Sequence, residues 1–239
     1  MTAVSADRTA TAAVWSALRA VRDPELDEPL PDLGFVALCE VDSAGRARVE
    51  LRLPTYFCAP NFAFLMVADA YDAVAGVDEV TAVEVVLLDH FAADAINRGV
   101  AAREGFVASF EGEAAGELDG LRTDFVRKAV LAGTDRVCRA LLAKGVDAAR
   151  LPGLTLGDVP AGPDLDRVRR RRAELCLPAG DEDALLLDPV TALPITPSEA
   201  KRHLAFARLT RTSMEANSGV CRGMLRVRYP QVQEEENTG

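Results

Sequence analysis

The sequence lacks most of the features that mark common classes of catalytic and extracellular proteins. Its cysteines are odd in number, scattered, and form no CxxC or CxxH pair. A disulfide framework is therefore not predicted, and a reducing compartment is the default expectation. The chain also has no Walker loop, dinucleotide fingerprint, G-x-S-x-G elbow or H-E-x-x-H motif, which argues against a conventional catalytic enzyme.

Long apolar runs are missing as well. No uninterrupted stretch approaches the ~20 residues of a membrane helix, and residues 1–11 lack the basic and apolar regions of a signal peptide. These absences predict a cytoplasmic protein without membrane association.

The net charge is −10, and residues 1–118 hold 20 acidic against 8 basic residues, while 119–239 hold 17 against 19. An acidic first half argues against nucleic acid as the main partner.

The first hundred residues predict a small α+β domain with the order α-β-β-α-β-α. Apolar spacing favours a helix over 10–21, and alternation favours an antiparallel hairpin of strands 33–41 and 48–53. A helix over 60–75 and a valine-rich strand over 80–88 complete a crossover, so the second and third strands should run parallel. A further helix is expected over 92–103.

The remainder of the chain predicts a mainly α-helical C-terminal domain. The predicted helices are 106–118, 121–144, 165–177, 198–208 with Ser198 as its cap, and 213–229, with a loop rich in glycine and proline at 152–163. The predicted division is an α+β domain over 10–103, a helical domain over 104–230 and a flexible acidic tail over 231–239.

The turn between the second strand and the following helix contains a cysteine, Cys58. A thiol just ahead of a helix N-terminus experiences the partial positive charge of unpaired amides, which favours the thiolate. Such a cysteine can ligate a metal or attack an electrophile. The alternative is that Cys58 is a small buried hydrophobic residue, the common fate of a free cysteine.

The predicted topology brings several polar residues to the same edge of the sheet as Cys58. Ligand crevices form beyond the carboxyl ends of parallel strands, and a thiolate, an imidazole and carboxylates suit iron or zinc. The alternatives are that the acidic residues cap and solvate a loop and that the histidine is structural. The candidate metal ligands are Cys58, His90, Asp23, Glu25 and Asp89, with Thr55 in support.

Two arginine-rich stretches are candidate partner-docking sites or, more simply, solvated helix faces. They comprise Arg169, Arg170, Arg171 and Arg172 in one helix and Arg222 and Arg226 in another.

Since metal–sulfur clusters are held by about four thiolates, one cysteine is too few for a stable cluster site. Either two chains pool their cysteines as a homodimer, or the site is open and transient. Whether Cys176 or Cys221 takes part is left open.

The motif order resembles that of the SufT/PaaD-like iron–sulfur cluster assembly domain over about residues 10–100. The resemblance is carried by Asp23-Pro24-Glu25-Leu26, Leu33-Gly34-Phe35-Val36, Leu53-Pro54-Thr55 with Cys58, and Gly76-Val77 before the third strand. It implies delivery of iron–sulfur clusters to client enzymes, with Cys58 as the functional thiol, Thr55 as the motif threonine and Asp23 and Glu25 as the acidic loop.

Two positions depart from that family pattern. Ala59 separates Cys58 from Pro60, and Asp89-His90-Phe91 stands where a proline-rich stretch is usual, which leaves room for His90 as an added ligand. The helical second half is similar to extended members found near bacterial diiron monooxygenases, which implies a monooxygenase client.

The sequence thus predicts a non-catalytic maturation factor that holds iron or an iron–sulfur cluster transiently for a client metalloenzyme. A metal-free adaptor or folding helper is the alternative. A thiol redox enzyme is a third, and it would need a reactive Cys58 and a resolving cysteine within reach.

Overall fold

The computed structural model describes residues 8–110, 112, 114 and 116–230. Within these residues the chain forms two compact units. The first contains the residues up to 118 together with those from 217 onward, and the second contains 119–216. The domain boundary predicted at 103/104 stays a prediction, and the predicted acidic tail lies outside the described residues.

The first unit is built on a three-stranded mixed sheet whose strands, in sheet order, are β1 (Val36–Val41), β2 (Arg46–Leu51) and β3 (Ala82–Leu87). β1 and β2 are antiparallel, with Cys39 opposite Val49, and β2 and β3 are parallel. The predicted α+β class and both strand directions are confirmed. The elements of this unit are α1 (Arg8–Leu18), β1 (Val36–Val41), β2 (Arg46–Leu51), α2 (Pro60–Ala75), β3 (Ala82–Leu87), α3 (Ala93–Ala101) and α4 (Phe106–Ser109).

Polar and apolar residues alternate along β2, so one face of the sheet is buried and the other faces solvent. Ala47, Val49 and Leu51 are buried, whereas the side chain of Arg48 reaches Glu50 and Glu84 on the solvent face. α1, α2 and α3 share one apolar core with the buried face. The β1–β2 turn needs glycine, because Gly45 has φ +77° and a Cβ there would approach the Glu79 carbonyl to 2.7 Å.

The second unit is helical, as predicted. α5 and α6 pack closely at Gly133, where a Cβ would lie 2.8 Å from Val168. Asp135 and Arg211 form an ion pair of 2.6 Å with both side chains buried. The remaining elements are α5 (Asp119–Ala143), 3-10 turns at Ala148–Gly153 and Leu156–Asp158, α6 (Pro163–Glu174) and α7 (Pro197–Arg228). The residues of α7 from 217 onward belong to the first unit.

Three sequence-based boundaries are corrected by the structure. α4 ends at Ser109, and the described residues between 110 and 118 are not helical. The predicted loop over 152–163 contains 3-10 turns. The two predicted helices 198–208 and 213–229 are one helix, α7, because residues 209–212 contain no glycine or proline that would end a helix.

The N-terminus of α7 also differs from expectation. Ser198 lies inside the helix, which begins at Pro197. The residue before it is Thr196, and Glu199 Oε2 accepts hydrogen bonds from the Thr196 amide at 3.1 Å and from the Thr196 hydroxyl at 2.5 Å, so one half of a capping box is formed. Among the described residues, no helix is long and apolar enough to cross a membrane.

Candidate functional site

Cys58 lies in the loop that joins β2 to α2. Its Sγ is 3.3 Å from the Oγ1 of Thr55, which also accepts a hydrogen bond from the Phe57 amide at 3.2 Å. The threonine hydrogen is therefore free to point at the sulfur. The thiol is half-buried, and α2 begins two residues later at Pro60. The loop thus presents a sulfur ahead of a helix N-terminus without enclosing it.

His90 fixes the backbone of this loop from the end of β3. Its Nε2 donates to the Cys58 carbonyl at 2.7 Å, and its Nδ1 accepts from the Ala92 amide at 3.2 Å. The ring is buried, and burial lowers the pKa of His90 against the opposing effect of the Cys58 bond. A neutral imidazole whose two nitrogens both form hydrogen bonds is suited to holding the thiol loop in position. Metal ligation by His90 would require one of these bonds to break, and it stays a prediction.

Asp23 organises the acidic loop that precedes β1. Its Oδ1 accepts hydrogen bonds from the amides of Glu25 at 2.9 Å and Leu26 at 2.8 Å. Burial raises the pKa of Asp23 to about 6, the two amide bonds oppose the rise, and the charges of Glu25 and Glu28 add to it. The carboxylate therefore shapes the loop at an electrostatic cost near neutral pH.

The raised pKa of Asp23 predicts a pH-dependent stability. Since the folded-state pKa of about 6 exceeds the unfolded value of 3.8, the folded protein binds the proton more tightly. The unfolding free energy should fall as pH rises between these values, and the cost is fully present above pH 6. Asp23→Asn should therefore be more stable than the wild type at pH 7.5, by up to about 3 kcal/mol, and equal to it near pH 4.

Urea unfolding at a series of pH values measures this difference. Asp78→Asn, on an exposed turn, is the control and should leave the profile unchanged. Equal stabilities of Asp23→Asn and the wild type across the whole range would contradict the cost assigned to Asp23.

Glu25 and Asp89 are both held by residues 217–229, which we call the C-terminal segment. The Asn217 Nδ2 donates to Glu25 Oε1 at 3.1 Å, and the Tyr229 hydroxyl donates to Asp89 Oδ2 at 3.0 Å. Arg228 donates to the Asp89 carbonyl as well. These bonds occupy one carboxylate oxygen of Glu25 and one of Asp89.

A preassembled metal site is not formed by these side chains. Within the described part of the chain, no three histidine, cysteine, aspartate or glutamate side chains are arranged to hold a metal ion. The ligand roles of Cys58, Asp23, Glu25 and Asp89 accordingly stay predictions. Any metal bound at Cys58 would need further ligands from water, from a rearrangement or from another protein.

The predicted docking arginines have very different environments. Arg172 is fully buried, and its guanidinium donates to the carbonyls of Pro178, Ala184 and Leu185. Arg169 bonds Asp181 and two carbonyls, and Arg171 pairs with Glu174. We assign Arg172 a structural role, whereas Arg170 is exposed and a docking role for it stays a prediction.

The second arginine group belongs to the C-terminal segment. Arg222 binds the Glu28 carboxylate and the Asp32 carbonyl, so it attaches this segment to the acidic loop. Arg226 is exposed and donates to the Arg222 carbonyl at 3.3 Å.

Sequence reasoning missed an aromatic cluster beside the thiol. Tyr56, Phe57 and Phe91 are 48%, 75% and 49% exposed. Ring centroids lie 5.0 Å apart for Tyr56 and Phe57 and 5.9 Å apart for Phe57 and Phe91. The only sequence signal was the placement of aromatic residues in two loops that the topology brings to one edge.

Comparison with known proteins gives a match between the first unit and a protein family. Residues 11–85 match a protein family model. The family is that of iron–sulfur cluster assembly proteins. This match supports an iron–sulfur assembly domain in the first unit. It includes Asp23, Glu25, Thr55 and Cys58, whereas Asp89, His90 and the whole C-terminal segment lie beyond it.

A solved structure is similar to part of the chain. The crystal structure of DUF59, a domain of unknown function from Bacillus anthracis, is 26% identical to it. The similarity covers 34% of this chain and 74% of that one, with a TM-score of 0.31. No curated protein matches the chain.

Proposed function

We propose that this protein is an accessory factor for the maturation of iron or iron–sulfur centres, and that Cys58 transiently holds the metal cargo for a client metalloenzyme. The observation that carries the proposal is the half-buried Cys58 thiol in a loop fixed by Thr55 and His90. The iron–sulfur assembly family match over residues 11–85 supports it.

The geometry suits transient holding better than permanent binding. A thiolate is a ligand that iron prefers, and the Thr55 hydroxyl can donate to the sulfur at 3.3 Å. The His90 bond to the Cys58 carbonyl limits movement of the loop, so the sulfur is positioned before the cargo arrives. With too few ligands of its own, the site would release its cargo to a client that offers a fuller set.

The client that we propose is a metalloenzyme of the diiron monooxygenase type. This finer assignment rests on the resemblance of the helical half to extended assembly proteins found near such enzymes. The aromatic cluster of Tyr56, Phe57 and Phe91 supports contact with a client beside the thiol, because exposed apolar patches of this kind are typical of interaction surfaces.

Loading with iron tests the role of Cys58. Protein purified without air and supplied with ferrous iron and sulfide should develop thiolate-to-iron absorption, and Cys58→Ser should lose most of it. Cys176→Ser is the matched control, since Cys176 is an exposed cysteine of the second unit. Full absorption in Cys58→Ser would contradict the proposal.

A metal-free adaptor is the second candidate, and the exposed aromatic cluster favours it. Under that function, Cys58→Ser would support client maturation as well as the wild type does. Phe57→Ser would abolish maturation in either case, so Cys58→Ser is the variant that separates an adaptor from a metal carrier.

A further inference from the structure

The C-terminal segment lies across the loops that carry the candidate site, although it is distant from them in sequence. Asn217 contacts Glu25 in the acidic loop. At the other end of the segment, Arg228 Nη1 donates to the Leu53 carbonyl at 3.1 Å, immediately before the thiol loop. The segment is thus anchored to the acidic loop near one end and to the residue before the thiol loop near the other.

Cys221 occupies the face of α7 that points toward these loops. Positions 217, 221, 225 and 228 recur at spacings of four and three, so they share one helix face. Leu225 on that face is 1% exposed and lies in the core of the first unit. Cys58 and Cys221 both pack, half-buried, against that same core. Cys221 therefore lies between the acidic loop and the thiol loop.

The electrostatic environment of Cys221 agrees with this placement. Burial raises the pKa of the Cys221 thiol to about 11, and Asp23, Cys58 and Glu25 raise it further in that order. Charges have such an effect only on near neighbours that are partly shielded from water. This effect agrees with the helix face that Cys221 occupies, which is turned toward the acidic loop and the thiol loop.

The other cysteines have different positions in the fold. Cys39 lies on β1 and is buried in the core. Cys138 and Cys176 are residues of the second unit. Cys221 is therefore the cysteine that the tertiary structure adds to Cys58.

We propose that Cys221 is a second thiolate ligand for the metal cargo of Cys58. This inference rests on the proposed function, but it concerns a residue outside the family match. Two soft sulfur ligands would bind iron more firmly than one. They would also supply half of the roughly four thiolates that a cluster needs, which leaves the other half for a donor or a client.

Titration with Cd²⁺ under anaerobic conditions measures the number of thiolate ligands. In a Cys176→Ser background, the sulfur-to-cadmium charge-transfer absorption of Cys58→Ser and of Cys221→Ser should each fall to about half or less of the parent. The double variant should fall to the level of buffer. Far-ultraviolet circular dichroism and the unfolding midpoint check that each variant is folded.

The outcomes separate this inference from the proposed function. If Cys221→Ser keeps the parent signal while Cys58→Ser loses it, the second ligand is wrong and the proposed function stands. If Cys58→Ser keeps the parent signal, the proposed function itself fails.

A metal-free measurement tests the juxtaposition directly. A short bifunctional thiol reagent should link Cys58 to Cys221 in the folded Cys176→Ser background, and peptide mass mapping should identify the linked pair. Modification of both thiols by a monofunctional reagent without any link between them would overturn the inference. A link together with an unchanged cadmium signal in Cys221→Ser would overturn the ligand role.

Discussion

Replacing Arg172 by alanine should lower the unfolding free energy of the second unit by on the order of 3–5 kcal/mol. The guanidinium is fully buried and donates to three backbone carbonyls, at 3.3 Å for Pro178, 2.8 Å for Ala184 and 2.6 Å for Leu185. Its loss would leave those acceptors without their donor and create a cavity.

The buried charge of Arg172 has a cost that makes this result informative. Burial lowers the pKa of Arg172 to about 10, so the charge is retained at neutral pH in an unfavourable environment. Arg172→Met would keep most of the side-chain volume and remove both the charge and the donors. If the three carbonyl bonds outweigh the cost of the buried charge, Arg172→Met should also be destabilised.

Native-state hydrogen exchange at the Leu185 amide, which bonds the Leu154 carbonyl, measures this effect within the second unit. Arg170→Ala on the same helix is exposed and should change the free energy by no more than about 0.5 kcal/mol. Equal exchange rates in Arg172→Ala and Arg170→Ala would contradict the structural role of Arg172.

Leu225→Ala should destabilise the first unit by about 2–5 kcal/mol. Leu225 is 1% exposed and belongs to the apolar core that the sheet, α1, α2 and α3 form. Truncation would remove apolar contacts and leave a cavity beneath the C-terminal segment. Because that segment also holds Glu25 and Asp89, the same variant should loosen the candidate site.

The single tryptophan, Trp15 in α1, reports on unfolding of this unit through its fluorescence. Val227→Ala is the matched control, since Val227 lies on the same helix but is 83% exposed, and its effect should stay within about 0.5 kcal/mol. A stability of Leu225→Ala equal to that of Val227→Ala would show that the segment does not complete the core of the first unit.

The local elements of the first unit could be predicted because their signals are short-range. Alternation in β2 followed by Pro60 at a helix start fixed the strand, the turn and α2, whose observed bounds Pro60–Ala75 are those predicted. Strand ends were less accurate, since β1 begins only at Val36. Residues 33–35 are apolar enough to extend the pattern, but Leu33 and Gly34 make turn hydrogen bonds instead.

The side chains around the candidate site could be predicted in part. Topology alone indicated that Cys58 and His90 would share an edge, and the His90 Nε2 is 2.7 Å from the Cys58 carbonyl. The occupation of both imidazole nitrogens depends on local backbone geometry that no pattern in the sequence encodes. Arg172 was similarly indistinguishable from Arg170 in sequence, although one is buried and the other exposed.

By itself, the sequence determined the mixed sheet, its strand directions and the position of Cys58 ahead of α2, because periodicity and turn residues act over a few neighbours. Only the tertiary structure decided that residues 217–229 belong with the first unit and that Cys221 packs against the same core as Cys58. Their contacts join residues more than 130 positions apart in the chain, such as Arg228 with Leu53 and Tyr229 with Asp89. Such contacts depend on the complementarity of two folded surfaces, which local patterns do not contain.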